Sequence, residues 1–424
     1  MRSLISLAAV LLALAGCYAK SKAPGDAPTG VTATPGDGVV VISWDVVPDL
    51  TYWIFFAPGD SVGVGAPGSF VIRGALDPRV VAGLANGTQY AFIMNATHND
   101  SSAGPTSAPV TATPQLAGGA WSPSPGTPLG TQNLNSMVFS GSRFVTVGDA
   151  GTIYAGDFDY TSTDPQGVSA WMAPTTPPAP PFSDNLTSII YNGTFIALGA
   201  NGSVISSADG LNWSSNVAVP GAGMTGLASG FVNGVTQTFI AVGAAGQIFF
   251  STDLVNWFPA TSNTTNDLTG VSLVNGTFFA TGTGGTLLAS SDGQNWFVHT
   301  TNTTSTLRAV TFGPSPQSPP NGSLYVAVGD SGTVITTPQI SVPPVPVVWT
   351  PVSPAPIAQN LRSITLGGAT STRFLAVGEG GGVVYSDDGL SWTPASSGSS
   401  LAKVIFAGGL YLGIGDAGAS AVSR

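Results

Sequence analysis

The chain has 424 residues, of which only 8% are charged, and carries a net charge of −10 from 11 Lys+Arg against 21 Asp+Glu. Such a balance excludes a nucleic-acid partner, which needs a basic surface. One Glu (Glu379), two His (His98, His299) and one Cys (Cys17) leave no Cys/His metal cluster, catalytic Cys/His dyad or intrachain disulfide to assemble, so no metal or cofactor is expected.

Residues 1–17 read MRSLISLAAVLLALAGC. Arg2 supplies a positive start, and the apolar run Leu4–Leu14 is shorter than the roughly 20 residues a membrane-spanning helix needs. The stretch ends in Leu14-Ala15-Gly16-Cys17, which resembles the bacterial lipobox. The resemblance implies a signal peptide over 1–16, a diacylated Cys17 and a lipidated tether over 17–26, with the membrane touched through the lipid alone. Each buried acyl CH₂ adds about 0.8 kcal/mol to such an anchor. Tyr18 stands where lipoproteins retained at the inner membrane carry Asp, so the resemblance favours the outer membrane or cell surface. An ordinary secretory signal with a chance Cys is the alternative.

Residues 27–114 read as short strands parted by turn residues: Val39–Trp44, Tyr52–Phe56, Ser69–Ile72, Tyr90–Met94 and a closing run from Val110 to Pro114. Pro28 with Val31 at the start, Trp44 on the second strand, and Leu84 six residues before Tyr90 resemble a fibronectin type III domain. That likeness implies a β-sandwich spacer with Trp44 in its core and Tyr90 as the corner tyrosine.

Residues 115–424 are repetitive. A Gly-x-x-Gly follows an apolar run seven times, at Gly148/Gly151, Gly199/Gly202, Gly243/Gly246, Gly282/Gly285, Gly329/Gly332, Gly378/Gly381 and Gly415/Gly418, about 44 residues apart. A second strand lies upstream, as in Leu186–Ile189, Leu268–Val271, Leu307–Val310 and Leu361–Ile364. Asn-Gly turns at Asn192, Asn275 and Asn321 suit tight hairpins, because both central residues accept positive φ. Four antiparallel strands at this period make a β-propeller blade. The expected fold is therefore all-β, an N-terminal fibronectin type III sandwich followed by a seven-bladed β-propeller. Of nine Trp, seven lie in the repeat region, with Trp121 ahead of the first unit and none ending the last. The segment near Trp121 is thus expected to complete blade seven and remove an open edge.

Ser-x-Asp-Gly-x-x-Trp occurs with Asp209/Trp213, Asp292/Trp296 and Asp388/Trp392, and a fourth copy with Asp253/Trp257 has Leu254 for Gly. These motifs resemble the Asp-box of bacterial neuraminidase repeats. The whole unit, with Val-Gly-Asp-x-Gly-Thr-Ile and Leu-Arg-x-Val, resembles the propellers of photosystem II assembly factors. The first likeness implies structural Asp and Trp residues; the second implies a protein partner.

Neuraminidases of this architecture use an arginine triad, a Tyr–Glu pair and an acidic Asp. Here the repeat region holds Arg143, Arg308, Arg362, Arg373, Lys403 and Arg424, its one Glu is in a Gly-x-x-Gly turn, and the Arg-Ile-Pro signature is absent, so no catalytic residue is assigned. The charges cluster. Arg308, Arg362 and Lys403 open the first strands of units five to seven, the Lys one position later. Asp330, Glu379, Asp416 and, in unit one, Asp149 occupy the second position of the turns, where units two to four have Ala200, Ala244 and Thr283. Antiparallel pairing should set Arg308 by Asp330, Arg362 by Glu379 and Lys403 by Asp416 on one face. Same-blade salt bridges and a polar recognition sector both fit this pattern. The Pro-rich segments Pro174–Pro181, Pro314–Pro320 and Pro338–Pro356 read as loops that can carry recognition, and both His as solvated. Together these readings give a lipid-anchored surface scaffold whose propeller binds a protein. Glycan binding or hydrolysis, and a purely structural envelope role, are the alternatives.

Overall fold

The structure is a computed structural model that describes residues 22–98, 102–124, 129–158, 168, 170–178, 183–315, 322–338, 347–368 and 372–423. Cys17 and its lipobox lie outside the described residues, as do 179–181, 316–320 and 339–346 of the Pro-rich segments. The described chain is built of strands and short 3₁₀ turns. It divides into two compact units: one takes the chain up to Thr34 with Val41–Arg79 and Thr88–Ala112, and the other takes Pro35–Val40, Val80–Gly87 and the chain from Thr113 onward.

Residues 32–112 hold β1 (Thr32–Gly36), β2 (Val39–Ser43), β3 (Thr51–Pro58), β4 (Phe70–Ala75), β5 (Arg79–Ala82), β6 (Tyr90–Thr97) and β7 (Val110–Ala112). They form two sheets of order β1-β2-β5 and β4-β3-β6-β7. β6 is buried along its whole length, and Ile54, Phe92 and Met94 are fully buried. Trp44 sits one residue beyond β2 and is buried, its ring 5.3 Å from that of Tyr52. Asp77 fixes this corner by accepting hydrogen bonds from the Ser43 hydroxyl and the Trp44 N–H.

From Thr113 onward the chain opens with β8 (Ser122–Pro123) and continues as seven sheets among the described residues, six of four strands and one of three. Each runs as an antiparallel meander from an inner strand: Leu134–Phe139, Leu186–Tyr191, Met224–Val232, Leu268–Val274, Leu307–Pro314, Leu361–Gly367 and Leu401–Ala407. The second strand of each sheet is apolar without alternation. Phe195–Gly199, Arg373–Gly378 and Leu410–Gly415 are buried at every residue. A strand buried on both faces reads as a continuous apolar run.

Neighbouring sheets supply the two covers. Val145, Val147 and Ile153 of the first sheet pack with Leu186, Ile189 and Trp213 of the second. Leu134, Met137 and Phe144 of the first pack with Leu410, Leu412 and Ile414 of the seventh, so the series closes on itself. β8 completes the seventh sheet, with Ala421 opposite Pro123 and Val422 opposite Ser122. The Trp121 indole donates to the Gly118 carbonyl, and the Gly118 N–H donates to Ser423 Oγ.

His299 is buried rather than solvated. It stands edge-on to Phe279 and accepts the Trp349 indole N–H through Nδ1 at 3.2 Å. Its place after the outer strand Phe297–Val298 puts it under Trp349 of the next sheet, a contact that local composition does not reveal.

Close packing between sheets gives a direct test. Gly293 has φ +75°, and a Cβ there would lie 2.4 Å from Ile240 Cδ1; Gly276 has φ +76° and open space around it. Gly276→Ala should cost about 1–2 kcal/mol from backbone conformation alone. Gly293→Ala adds overpacking and should cost about 2–4 kcal/mol. Urea midpoints of the two variants measure the difference, and equal losses would refute the packing argument.

Candidate functional site

The first residue of every inner strand is a buried apolar anchor: Leu134, Leu186, Met224, Leu268, Leu307, Leu361 or Leu401. In all seven sheets the pairing register shifts just after it. A bulge of this kind re-aims one side chain out of the ladder. The bulged residues are Asn135, Thr187, Thr225, Thr269, Arg308, Arg362 and Ala402. They stand beside the tight turns that end the second strands, such as Asp330–Gly332 and Glu379–Gly381.

The charges meet there. Arg308 holds Asp330 with two bonds, Nε to Oδ1 at 2.5 Å and Nη2 to Oδ2 at 3.1 Å. Arg362 donates to Glu379 Oε1 from Nη2 at 3.0 Å and Nε at 3.2 Å, and to Asp416 Oδ1 from Nη1 at 2.7 Å. It thereby joins the turns of the sixth and seventh sheets. Burial works against the Arg362 charge, but the bonds to Asp416 and Glu379 prevail and raise its pKa. Among the described residues no base pairs with Asp149; the amides of Asn133 and Asn135 donate to it at 3.0 and 2.8 Å.

Lys403 does not pair with Asp416, contrary to the expectation from spacing. The bulge of the seventh sheet falls on Ala402, so Lys403 returns to the ladder opposite Ile414 and its side chain leaves the turn. With no base on its own sheet's bulge, Asp416 is taken by Arg362 of the preceding sheet. The single-residue offset visible in the sequence is thus the difference between an ion pair and none.

A second set of contacts on this face was not anticipated. The middle residue is left-handed in six of the seven turns, with φ +53° at Ala150 and Ala245, +56° at Ser331 and +52° at Ala417. In five of them its N–H donates to the side chain just before the next sheet's inner strand: Ala150 to Asn185, Ala245 to Asp267, Ser331 to Asn360, Gly380 to Ser400, and Ala417 to Asn133. Where that position is Gly223, no side chain is present, and the Asn201 N–H turns instead to Asp184 of its own sheet. The readable signal is a polar residue immediately ahead of the anchoring Leu.

The Asp-box residues lie elsewhere, in turns at the ends of the third strands. Ser207 Oγ accepts the Gly210 N–H; Asp209 Oδ1 accepts the N–H groups of Leu211 and Asn212; and the Trp213 indole donates to the Gly210 carbonyl. Asp253, Asp292 and Asp388 repeat the carboxylate bonds. Trp296 and Trp392 repeat the indole bond. In the fourth copy Leu254 adopts φ +60° in place of Gly, and the buried Trp257 indole N–H has no partner among the described residues. The Asn212 and Leu211 N–H groups hold the Asp209 carboxyl well below the usual carboxylate range, and those of Asn256 and Val255 do the same for Asp253. Burial raises Asp292 and Asp388, but their backbone donors outweigh it.

The inner strands enclose two chambers. One of about 150 Å³ is lined by residues from all seven strands, including Arg308, Arg362 and Lys403; the other, about 590 Å³, is lined by Met137, Phe139, Tyr191, Leu273 and Phe406 among others. Among the described residues no group of His, Cys, Asp and Glu is placed to hold a metal ion.

These shifts set the acid response. Burial lowers His299 to about 4 from 6.5, so its contribution is complete above pH 6.5 and is lost as pH falls through 4. The depressed carboxylates contribute above about pH 3.9 and lose that contribution below it. Urea midpoints should therefore fall by the equivalent of about 2 kcal/mol between pH 7 and 4.5, and again below pH 4. His299→Gln, which keeps an acceptor for Trp349, should flatten the first step only. An unchanged first step would refute the buried-histidine assignment.

No protein-family model and no curated protein matches the sequence. Solved structures do. YCF48 from Cyanidioschyzon merolae aligns with a TM-score of 0.52 at 17% identity, covering 72% of this chain and 98% of that one. YCF48 bound to D1 peptide aligns at 0.51 and 15%, covering 72% and 94%. The WD40 β-propeller domain of Doa1 aligns at 0.52 and 11%, covering 72% and 97%. At these identities the likeness is one of fold, and the fold is a β-propeller.

Proposed function

We propose that the chain is a lipid-anchored scaffold of the cell surface, in which a fibronectin type III module carries a seven-bladed propeller that binds a protein partner on its charged turn face. The two-sheet order of residues 32–112 and the seven closed sheets that follow support the architecture. The Cys17 lipobox supports the anchor at the outer membrane or surface. The binding reading rests on one observation: Arg362 links Glu379 and Asp416 across two sheets while those carboxylates stay 39% and 41% exposed. Their free lone pairs present a fixed, shaped array of charge to a partner. A solved propeller of similar fold carries a bound peptide, YCF48 with D1 peptide. The Asp-box carboxylates, saturated by turn N–H groups, are poor candidates for glycosidase acids.

The test is crosslinked capture from envelope extract by the chain from Tyr18 onward. Wild type is compared with an Arg308→Ala, Arg362→Ala double variant and with Arg143→Ala, which removes the separate Arg143–Asp157 pair. The captured protein should fall at least about tenfold in the double variant, a change of about 1.4 kcal/mol, and stay level in Arg143→Ala. Equal capture by all three would reject the charged face as the binding site.

A further inference from the structure

Lys403 is one of three lysines in the chain, with Lys20 and Lys22, and the only one after residue 22. Its equivalents one residue past the bulge in the other inner strands are Ser136, Ser188, Gly226, Gly270, Ala309 and Ser363, all small. The serines have a structural task. Ser136, Ser188 and Ser363 accept backbone N–H groups of Ile189, Leu227 and Val404 on the next inner strand. Lys403 performs none of this. Among the described residues it has no ion pair. It is the only cation that lines both chambers, where they meet at Ser136, Ser188, Val271 and Ser272.

The surroundings disfavour its charge. No described carboxylate lines either chamber. Arg362, on the adjacent inner strand, and Arg308, one strand further round, line the smaller chamber with it; both are cationic, and their carboxylate partners are already committed. A partly buried amine that shares its chamber with two other cations and has no counter-charge is available as a nucleophile. Burial accordingly lowers the Lys403 pKa.

We infer that Lys403 is a reactive amine at the waist of the channel and a modification site for small aldehydes. Its nitrogen lone pair attacks the carbonyl carbon and the C–N bond forms. The carbonyl oxygen then departs as water with the two nitrogen-bound hydrogens, leaving an imine with no change of oxidation state. The neighbouring small residues leave room for an adduct of a few carbons.

The chain from Tyr18 onward contains its own control, because Lys22 is exposed on the first unit. Formaldehyde with sodium cyanoborohydride would be applied at low conversion from pH 6 to 9, and methylation at Lys22 and Lys403 would be quantified by peptide mass spectrometry. The expected result is Lys403 labelled at least about fivefold faster than Lys22 at pH 7, with its rate reaching half-maximum at a lower pH than that of Lys22, and equal rates in urea. Labelling of Lys403 at or below the rate of Lys22 in the folded chain at pH 7 would overturn the proposal: the group would then be a protonated or inaccessible ammonium.

Discussion

A strand that is apolar on both faces cannot end at a single sheet. The second strands of this ring, such as Phe195–Gly199 and Leu410–Gly415, are buried at every position, so each requires a sheet on either side. No sheet is then a stable object alone, and the series must either continue or close. Closure is what places seven bulges around one axis and seven tight turns beside them. The charged face, the relay of side chains between sheets and the channel all follow from that requirement.

The bulge ring also explains why charge is uneven within a near-repeat. The position holds Thr in the second, third and fourth sheets, and Thr225 and Thr269 use their hydroxyls on the next strand's Leu268 and Leu307 carbonyls. In the fifth and sixth it holds Arg, which reaches outward to carboxylates. One backbone feature therefore serves two uses, stitching sheets where the residue is short and presenting ions where it is long. The Arg362 contacts do both, since they span the sixth and seventh sheets and leave carboxylate oxygens exposed.

Much of the second unit was legible because its signals are local and periodic. The Gly-x-x-Gly turns require left-handed backbone, and the run ahead of each one is apolar without a break. The Asp209 and Asp292 motifs are self-contained turns whose bonds close within six residues. What depended on contacts between sheets was not legible. The register shift that sends Lys403 away from Asp416 is a one-residue matter of pairing. His299 is buried because of Trp349, fifty residues later in the chain. The polar residues ahead of the Leu anchors were present in the sequence, but their acceptor role needs the turn of the previous sheet. Among residues 32–112, β5 (Arg79–Ala82) is too short and too mixed to announce itself beside its longer neighbours.

The seam of the ring joins residues far apart in the chain. The Ala417 N–H meets Asn133 across 284 residues, the Gly118 N–H meets Ser423 across 305, and Arg373 holds the entering chain through the Leu116 and Ala117 carbonyls. The entropy of closing so long a loop grows only logarithmically, about 0.6 kcal/mol for each doubling. Gaining or losing one unit of about 44 residues would thus hardly change what the seam must overcome. Chain entropy does not count the sheets. The count is set by the wedge angle between them, and hence by the width of the side chains nearest the axis, where Gly226 would place a Cβ 2.8 Å from the Val271 nitrogen. A single enlarged residue at that radius bears on how many sheets the circle can hold.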